Sequence, residues 1–330
     1  MLATLVDAPF DGKEWLFEIK WDGFRALAGI AAGREVTLTS RNGLDMLQRF
    51  PELADMGGDF TDLPVLVDGE IVSLDASGRS SFQRLQNHLR RAENGAGGNL
   101  AFVAFDVLYA RGEDLRQKPL EDRKAILASI LKKGARRVLY SAHVLERGKD
   151  LFAAASAKGL EGIIGKRRAS TYLERRTRDW LKIKAQKTQE CVIGGYTDPQ
   201  GARTGFGSLH VGLYDAAGLL NYAGNVGTGF SRDVASALLD KLKPLAIARC
   251  PFAERPTKHP RTSHWVSPKL VAQVRFSEWT DDGRMRHPAF LGLRSDKKPR
   301  ECTREIAEPR PAALGRTAEA RPARRPARSR

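Results

Sequence analysis

No stretch of this 330-residue chain approaches the roughly 20 consecutive apolar residues that a membrane-crossing helix needs. Its opening residues, MLATLVDAPFDGKEW, hold neither a basic start nor an apolar core ahead of a small-residue cleavage site. Neither a membrane anchor nor secretion is expected, and a cytoplasmic protein is. Cysteine is scarce: Cys191, Cys250 and Cys302 are odd in number and far apart, which argues against a disulfide framework and against a zinc knuckle. His88, His143, His210, His259, His264 and His287 form no ligand set, and a Pro-containing loop separates His259 from His264. The glycine-rich run NGAGGN at 94–99 lacks a following Gly-Lys-Ser/Thr, so it is not a P-loop. No fixed-period repeat is visible.

Charge and apolar content are plentiful. The formal net charge is +16, and 42% of residues are hydrophobic. A chain of this length exceeds one ordinary core, so two folded units are expected. The last 22 residues contain seven Arg and one Glu, or +6, leaving +10 for the body. A basic body suits a polyanionic partner. The tail, rich in Ala, Pro and Arg, cannot bury enough apolar surface to fold and is expected to be disordered over 303–330.

Strand patterning begins at Trp15. Trp15, Phe17, Ile19 and Trp21 alternate with Leu16, Glu18, Lys20 and Asp22, assigning the two sets to opposite faces of one strand. Further short apolar segments follow at VTLTS, PVLVDGEIVSLD, LAFVAFDVLYA, GIIGKR and DWLKIKA, interspersed with helix-like DRKAILASILKK and DLFAAASAKG. The first unit, 1–187, therefore reads as mixed α/β or α+β. From about Glu190 closely spaced strands take over, with one helix near VASALLDKLKPL. That order is compatible with a five-stranded oligonucleotide-binding (OB) barrel over 188–302, and also with an open sheet.

The chemistry gathers on the same segments. Glu18, Lys20 and Asp22 place a primary amine between two carboxylates, just before a glycine where the backbone can turn. Four other strand-associated segments carry polar or aromatic candidates: Glu70 in LVDGEIVSL, Phe105 in FVAFDVLY, Glu161 in LEGIIGKR, and Lys182 with Lys184 in DWLKIKA. In the last, Trp180, Lys182 and Lys184 share one face, while Leu181 and Ile183 point to a core. Two parallel cations would suit a triphosphate.

In this order, from Lys20 to Lys298, the segments resemble the covalent nucleotidyltransferases: DNA ligases, RNA ligases and mRNA-capping enzymes. WLFEIKWDGFRA, SRNG, EGIIGKR, WLKIK, HWVSPKLVAQVRFSEWT and RHPAFLGLRSDKKP resemble above all the ATP-dependent ligase domain of bacterial ligase D, which acts in non-homologous end joining. The resemblance implies an α+β adenylation domain with antiparallel sheets, followed by an all-β OB-fold domain.

It also implies roles. Lys20 would attack the α-phosphate of ATP and carry AMP, which passes to a DNA 5′-phosphate before a 3′-hydroxyl displaces it. Glu18 would contact adenine, Phe105 would stack on it, Glu70 would hold the ribose, and Arg25 and Arg41 would meet phosphate. Lys182 and Lys184 would contact phosphate as well, and Asp22 would stand by the reacting lysine. Glu161, with Glu70, would serve Mg²⁺ or Mn²⁺. Arg294, Asp296 and Lys297 would orient pyrophosphate.

Near neutral pH a lysine must be coaxed out of its ammonium form. Lys182, Lys184 and a metal would disfavour that form, and Glu18 and Asp22 would favour it. The implied partners are duplex DNA with nicks or breaks, a Ku-like end-binding protein, and separate end-processing enzymes, since the chain has no room for ligase D's polymerase and phosphoesterase domains. A nucleoid-associated monomer is expected. The alternatives are a GTP-using capping guanylyltransferase and a non-catalytic DNA-end-binding module.

Overall fold

The computed structural model describes residues 1–92, 99–199, 205–256 and 262–311. Most of the glycine-rich run, His259 and the tail from 312 onward lie outside the described residues. The first part of the chain runs β1 (Leu2–Leu5), β2 (Gly12–Ile19), β3 (Phe24–Ile30), β4 (Val36–Ser40), β5 (Val65–Ser73), α1 (Phe82–Ala92), β6 (Leu100–Ala110) and β7 (Glu113–Asp114). It continues through α2 (Leu120–Ile130), β8 (Val138–Tyr140), β9 (His143–Glu146), α3 (Gly148–Ala157), β10 (Gly162–Arg167) and β11 (Arg176–Lys184). After these come β12 (Thr188–Thr197), β13 (Leu209–Tyr214), β14 (Leu220–Val226), α4 (Arg232–Leu242), β15 (Ala246–Ile247), β16 (Ser263–Val266), β17 (Val271–Arg275), β18 (Glu278–Trp279), β19 (Met285–Arg286) and β20 (Ala289–Leu293).

Strands up to Lys184 make two sheets, ordered β1-β11-β10-β2-β9 and β4-β3-β5-β6-β7, with β8 beside β6. Antiparallel pairing dominates, the exceptions being β1 with β11 and β6 with β8. The second exception follows from connectivity, because the chain returns from β6 through α2 and a crossover makes neighbours parallel. β2 is covered on both faces. Trp15 and Phe17 enter a core with Phe10, Ile163, Leu181 and Ile183, while Leu16 and Glu18 are buried on the opposite side. The expected alternation stops at Ile19. Trp21 packs instead beside Val72, Ala101 and Val103, and its indole N–H donates to Ser141 Oγ at 3.1 Å. The two sheets meet edge to face through Phe105 and Trp180, whose ring centroids are 5.9 Å apart.

From Thr188 on, β12 pairs with β13 on one side, and with β16 and β17 along successive halves of the other. β13 pairs with β14 and β17 with β20. A parallel bridge from Thr228 to Ala289 joins the end of β14 to β20 and closes the ring β12-β13-β14-β20-β17. Five strands with a helix between the third and fourth are the OB arrangement. Helix α4 falls where the sequence reading put it, and Ser231 caps it by accepting the Val234 N–H at 3.3 Å. An all-β barrel is thus accurate apart from this helix. Among the described residues no helix is long and apolar enough to cross a membrane.

The tail expectation needs correction at its start. Residues 303–311 lie on the body: Thr303 bridges Tyr214, and Glu308 bridges Val6. Ion pairs of Glu305 and Glu308 hold this stretch, which composition alone could not reveal.

Candidate active site

A single cleft between the two sheets and the barrel is lined by every residue singled out from the sequence: Glu18, Lys20, Asp22, Arg25, Arg41, Glu70, Phe105, Glu161, Lys182, Lys184, Arg294, Asp296 and Lys297. Strand geometry explains the convergence. β2 delivers Glu18 and, just past its end, Lys20, whose backbone N–H donates to Gly162 O at 2.9 Å. β10 and β11 run beside it, with Gly162 opposite Lys184 and Ile164 opposite Lys182. On β11, Leu181 and Ile183 are in the core while Trp180, Lys182 and Lys184 face the cleft, as alternation requires.

At one end sits a buried polar cluster only partly foreseen. Glu18 Oε1 accepts from Lys124 Nζ at 2.6 Å, and its Oε2 accepts from Ser141 Oγ at 2.8 Å and Lys166 Nζ at 3.0 Å. Burial alone would raise the Glu18 pKa, but Lys166 and Lys124 outweigh it and hold the carboxyl below its usual range. Lys166 is itself pushed down to about 8 by burial, against the pull of Glu18. Its ammonium lies 4.5 Å from the Phe105 ring centroid and 4.3 Å from that of Trp180. Arg25 forks onto Asp68, with Nε to Oδ1 at 3.0 Å and Nη2 to Oδ2 at 2.5 Å, and lies 5.5 Å from the Phe105 ring centroid. Lys124, Lys166, Ser141 and Asp68 were not singled out. Lys166 stood within the quoted EGIIGKR, but a fully buried lysine on α2 leaves no mark in a linear pattern.

Lys20 is ion-paired with Glu161. Burial would lower its pKa, but Glu161, Asp22 and Glu70 raise it above the ordinary lysine value. The amine therefore rests as an ammonium. Of the neighbours expected to set its charge, Asp22 acts as anticipated. Glu18 is turned to Lys124 and Lys166, and Lys182 and Lys184 are engaged by Glu305. Asp22 is pushed up to about 6 by burial and Glu161, and also accepts the first helical N–H of α1, from Phe82, at 2.8 Å. Glu70, opposite Arg25 in the ladder, is pushed up to about 8 by burial in spite of Lys20, Arg294 and Arg25.

The barrel closes the other end. Arg294 forks onto Asp296 at 2.8 and 2.7 Å, meets Gln273 Oε1 at 3.2 Å, and lies 5.0 Å from the ring centroid of Phe82 on α1. Glu190 faces Lys297 at 3.5 Å and Arg294 at 3.8 Å, and those cations outweigh burial to keep it strongly acidic. Asn42 donates to Asp296 O at 2.7 Å, and Arg41 is 3.9 Å from Glu301. Glu190, Gln273 and Glu305 are further cleft residues that the sequence reading missed.

Among the described residues no three His, Cys, Asp or Glu side chains are grouped to hold an ion by themselves. Mg²⁺ seldom needs such a cage, taking one or two carboxylates and completing its shell with substrate phosphates and water. Glu161 and Glu70 fit that mode: both line the cleft, and burial raises Glu70 beyond what its neighbouring cations offset, so a further positive charge would be stabilised there.

An amine among carboxylates, facing cations from two domains, is a site arranged for phosphoryl transfer. Comparisons with known proteins specify which kind. The ATP dependent DNA ligase domain model matches residues 1–184, and the ATP dependent DNA ligase C terminal region model matches 202–297. The chain belongs to the ATP-dependent DNA ligase family. It is 42% identical over 308 residues to the multifunctional non-homologous end joining protein LigD of Pseudomonas aeruginosa, covering 92% of this chain and 36% of that protein. It is 30% identical to DNA ligase C of Mycobacterium tuberculosis, covering 92% of this chain and 91% of that one. The structure of mycobacterial DNA ligase D complexed with ATP and MES matches at a TM-score of 0.67 and 37% identity, covering 92% of this chain and 98% of that one. The chain thus spans little more than a third of the LigD relative.

Proposed function

We propose that the chain is an ATP-dependent DNA ligase that carries AMP on Lys20 and seals 5′-phosphate/3′-hydroxyl breaks in duplex DNA, serving non-homologous end joining. The observation that carries this reading is Lys20 held against Glu161 in a cleft where Lys182, Lys184, Arg294 and Lys297 supply cations from both domains.

In the first step Lys20 Nζ gives up a proton and forms a bond to the α-phosphorus; the bond to the β-phosphate oxygen breaks and pyrophosphate leaves. A 5′-phosphate oxygen of DNA then takes the adenylyl group and frees the lysine. The 3′-hydroxyl next attacks that 5′-phosphorus, loses its proton and expels AMP. Each transfer spreads negative charge over equatorial oxygens, which fixed cations stabilise without reorganising. A divalent ion bound at Glu70 and Glu161 would add charge neutralisation at the phosphates. Glu161 sets Lys20's proton, so drawing its carboxylate toward positive charge releases the amine to react.

The Glu18 cluster favours ATP over GTP. Three donors already occupy this ionised carboxylate, which can only accept. An exocyclic amine such as adenine N6 suits it, whereas guanine O6 would oppose it. Duplex DNA would lie against the basic body. A Ku-like end-binding protein would recruit the chain, acting as a monomer, to breaks that end-processing enzymes have prepared. The test is incubation with α-labelled ATP or GTP and Mg²⁺ or Mn²⁺, followed by nicked duplex. Label from ATP on wild type but not on Lys20→Ala, discharged with sealing, is expected. No label on pyrophosphate-stripped wild type would leave a DNA-end-binding module, and label from GTP alone would indicate a capping-type enzyme.

A further inference from the structure

Glu305 reaches the cleft from the segment that follows the last barrel strand. Its carboxylate is forked over the two lysines of β11, Oε1 to Lys182 and Oε2 to Lys184 Nζ at 2.7 Å. Those lysines stand two residues apart on one strand face, the spacing at which two oxygens of one anion can each meet a cation. The backbone around Glu305 is set from both sides. Its N–H donates to Gln189 Oε1 at 3.2 Å, and Gln189 Nε2 donates to Thr303 O at 3.1 Å. Three residues on, the Glu308 N–H donates to Leu5 O at 2.9 Å and its carboxylate pairs with Arg178. Arg178 Nη2 also donates to Pro309 O at 2.9 Å. Residues 303–310 thus form a strap from the barrel back onto β1 and β11, and Ile306 between the anchors is 78% exposed.

A carboxylate on such a strap has a reason to be in the cleft. Two lysines side by side in a partly buried site repel each other, and burial and the neighbouring Lys184 disfavour the charged form of Lys182. Glu305 supplies the missing anion while no phosphate is present. We propose that Glu305 is the resident counter-anion of the phosphate site: ATP must displace it from Lys182 and Lys184, and it returns once no phosphate occupies them. This rests on the reading of those lysines as phosphate contacts. The displacement weakens any phosphate compound that enters the empty cleft, ATP and free pyrophosphate alike, so each binds less tightly than the bare lysine pair would allow.

The test compares wild type, Glu305→Gln and Arg178→Ala by calorimetric binding of inorganic pyrophosphate and by self-adenylylation against ATP concentration. Glu305→Gln is expected to bind pyrophosphate roughly three- to tenfold more tightly and to lower KM for ATP by a similar factor, acting on KM rather than kcat. Arg178→Ala loosens the strap from outside the cleft and should move both quantities in the same direction by less. A merely structural strap would instead lower the melting temperature or kcat and leave pyrophosphate affinity alone. Wild-type pyrophosphate affinity in both variants overturns the proposal, and in Arg178→Ala alone it does so if Glu305→Gln fails to fold. Absence of label on wild type would sink the ligase reading separately, since pyrophosphate binding needs no turnover.

Discussion

A buried and a half-buried carboxylate in one cleft are pushed in opposite directions, and their surroundings explain why. Glu18 meets two ammonium groups and a hydroxyl and stays ionised. Glu70 is pushed up to about 8 by burial. For Glu70 the folded protein binds more protons than the unfolded chain between its ordinary value of 4.5 and about 8, so stability falls as pH rises through that window. The slope is about 1.4 kcal/mol per unit at most. Glu70→Gln removes the titration. In metal-free buffer its advantage in melting temperature over wild type should therefore widen from pH 5 to pH 8. A gap that stayed level or narrowed would mean that Glu70 is ionised in the cleft throughout. The sequence singled out Glu18 and Glu70 together, but their protonation was not legible there. For Glu18 it depends on Lys124 and Lys166, more than 100 residues away in the chain, and for Glu70 on burial that Lys20, Arg294 and Arg25 do not offset.

At the scale of elements, what could be read from the chain was what a period encodes. The alternation in DWLKIKA separated cleft from core correctly because β11 has protein on one face and the cleft on the other. In β2 alternation misled at Trp21, since the strand ends and the chain turns. Helix α1 went unnoticed: most of its residues are polar, and its apolar Phe82 and Leu85 are one turn apart in a polar run. The residue that joins β10 to the site can be tested directly. Gly162 has φ 147°, and a Cβ there would stand 2.1 Å from Ile183 O. Its own carbonyl anchors the Lys20 N–H, and the Glu161 carbonyl accepts the Ala185 N–H at 2.9 Å. Gly162→Ala should therefore pry β10 from β11 and misplace Lys20 and Glu161 together. The expected outcome is a stability loss of about 1–3 kcal/mol by thermal melting and a larger, at least roughly tenfold, loss of adenylylation rate. A variant with unimpaired labelling would show that the β10–β11 junction does not set the lysine's position.

For the whole molecule, the barrel's placement over the cleft is the feature that a linear reading could not supply. Arg294 and Asp296 stand in the cleft, with Arg294 against Phe82 and Asp296 tied to Asn42, and Gln86 on α1 donates to Leu293 O at 2.9 Å. This closed arrangement suits the first step, because it brings barrel cations to the phosphates. On the proposed function it also covers the lysine that a DNA end would have to reach, so sealing would require the barrel to move off, hinged near the junction of β11 and β12. A crosslink across α1 and β20 separates the two demands. A Cβ at position 292 would come 2.7 Å from Gln86 Cγ, which is where a cysteine sulfur would sit, so Gln86→Cys with Gly292→Cys places two thiols within bonding reach after small adjustment. The oxidised double variant should still take label from ATP at Lys20 and fail to seal nicked duplex, with sealing restored by a reductant. If the oxidised protein seals as fast as the reduced one, the closed arrangement admits DNA and the barrel need not swing. If it neither labels nor seals while folding normally, the barrel must already move during the first step, and Arg294 and Lys297 act on ATP from some other position.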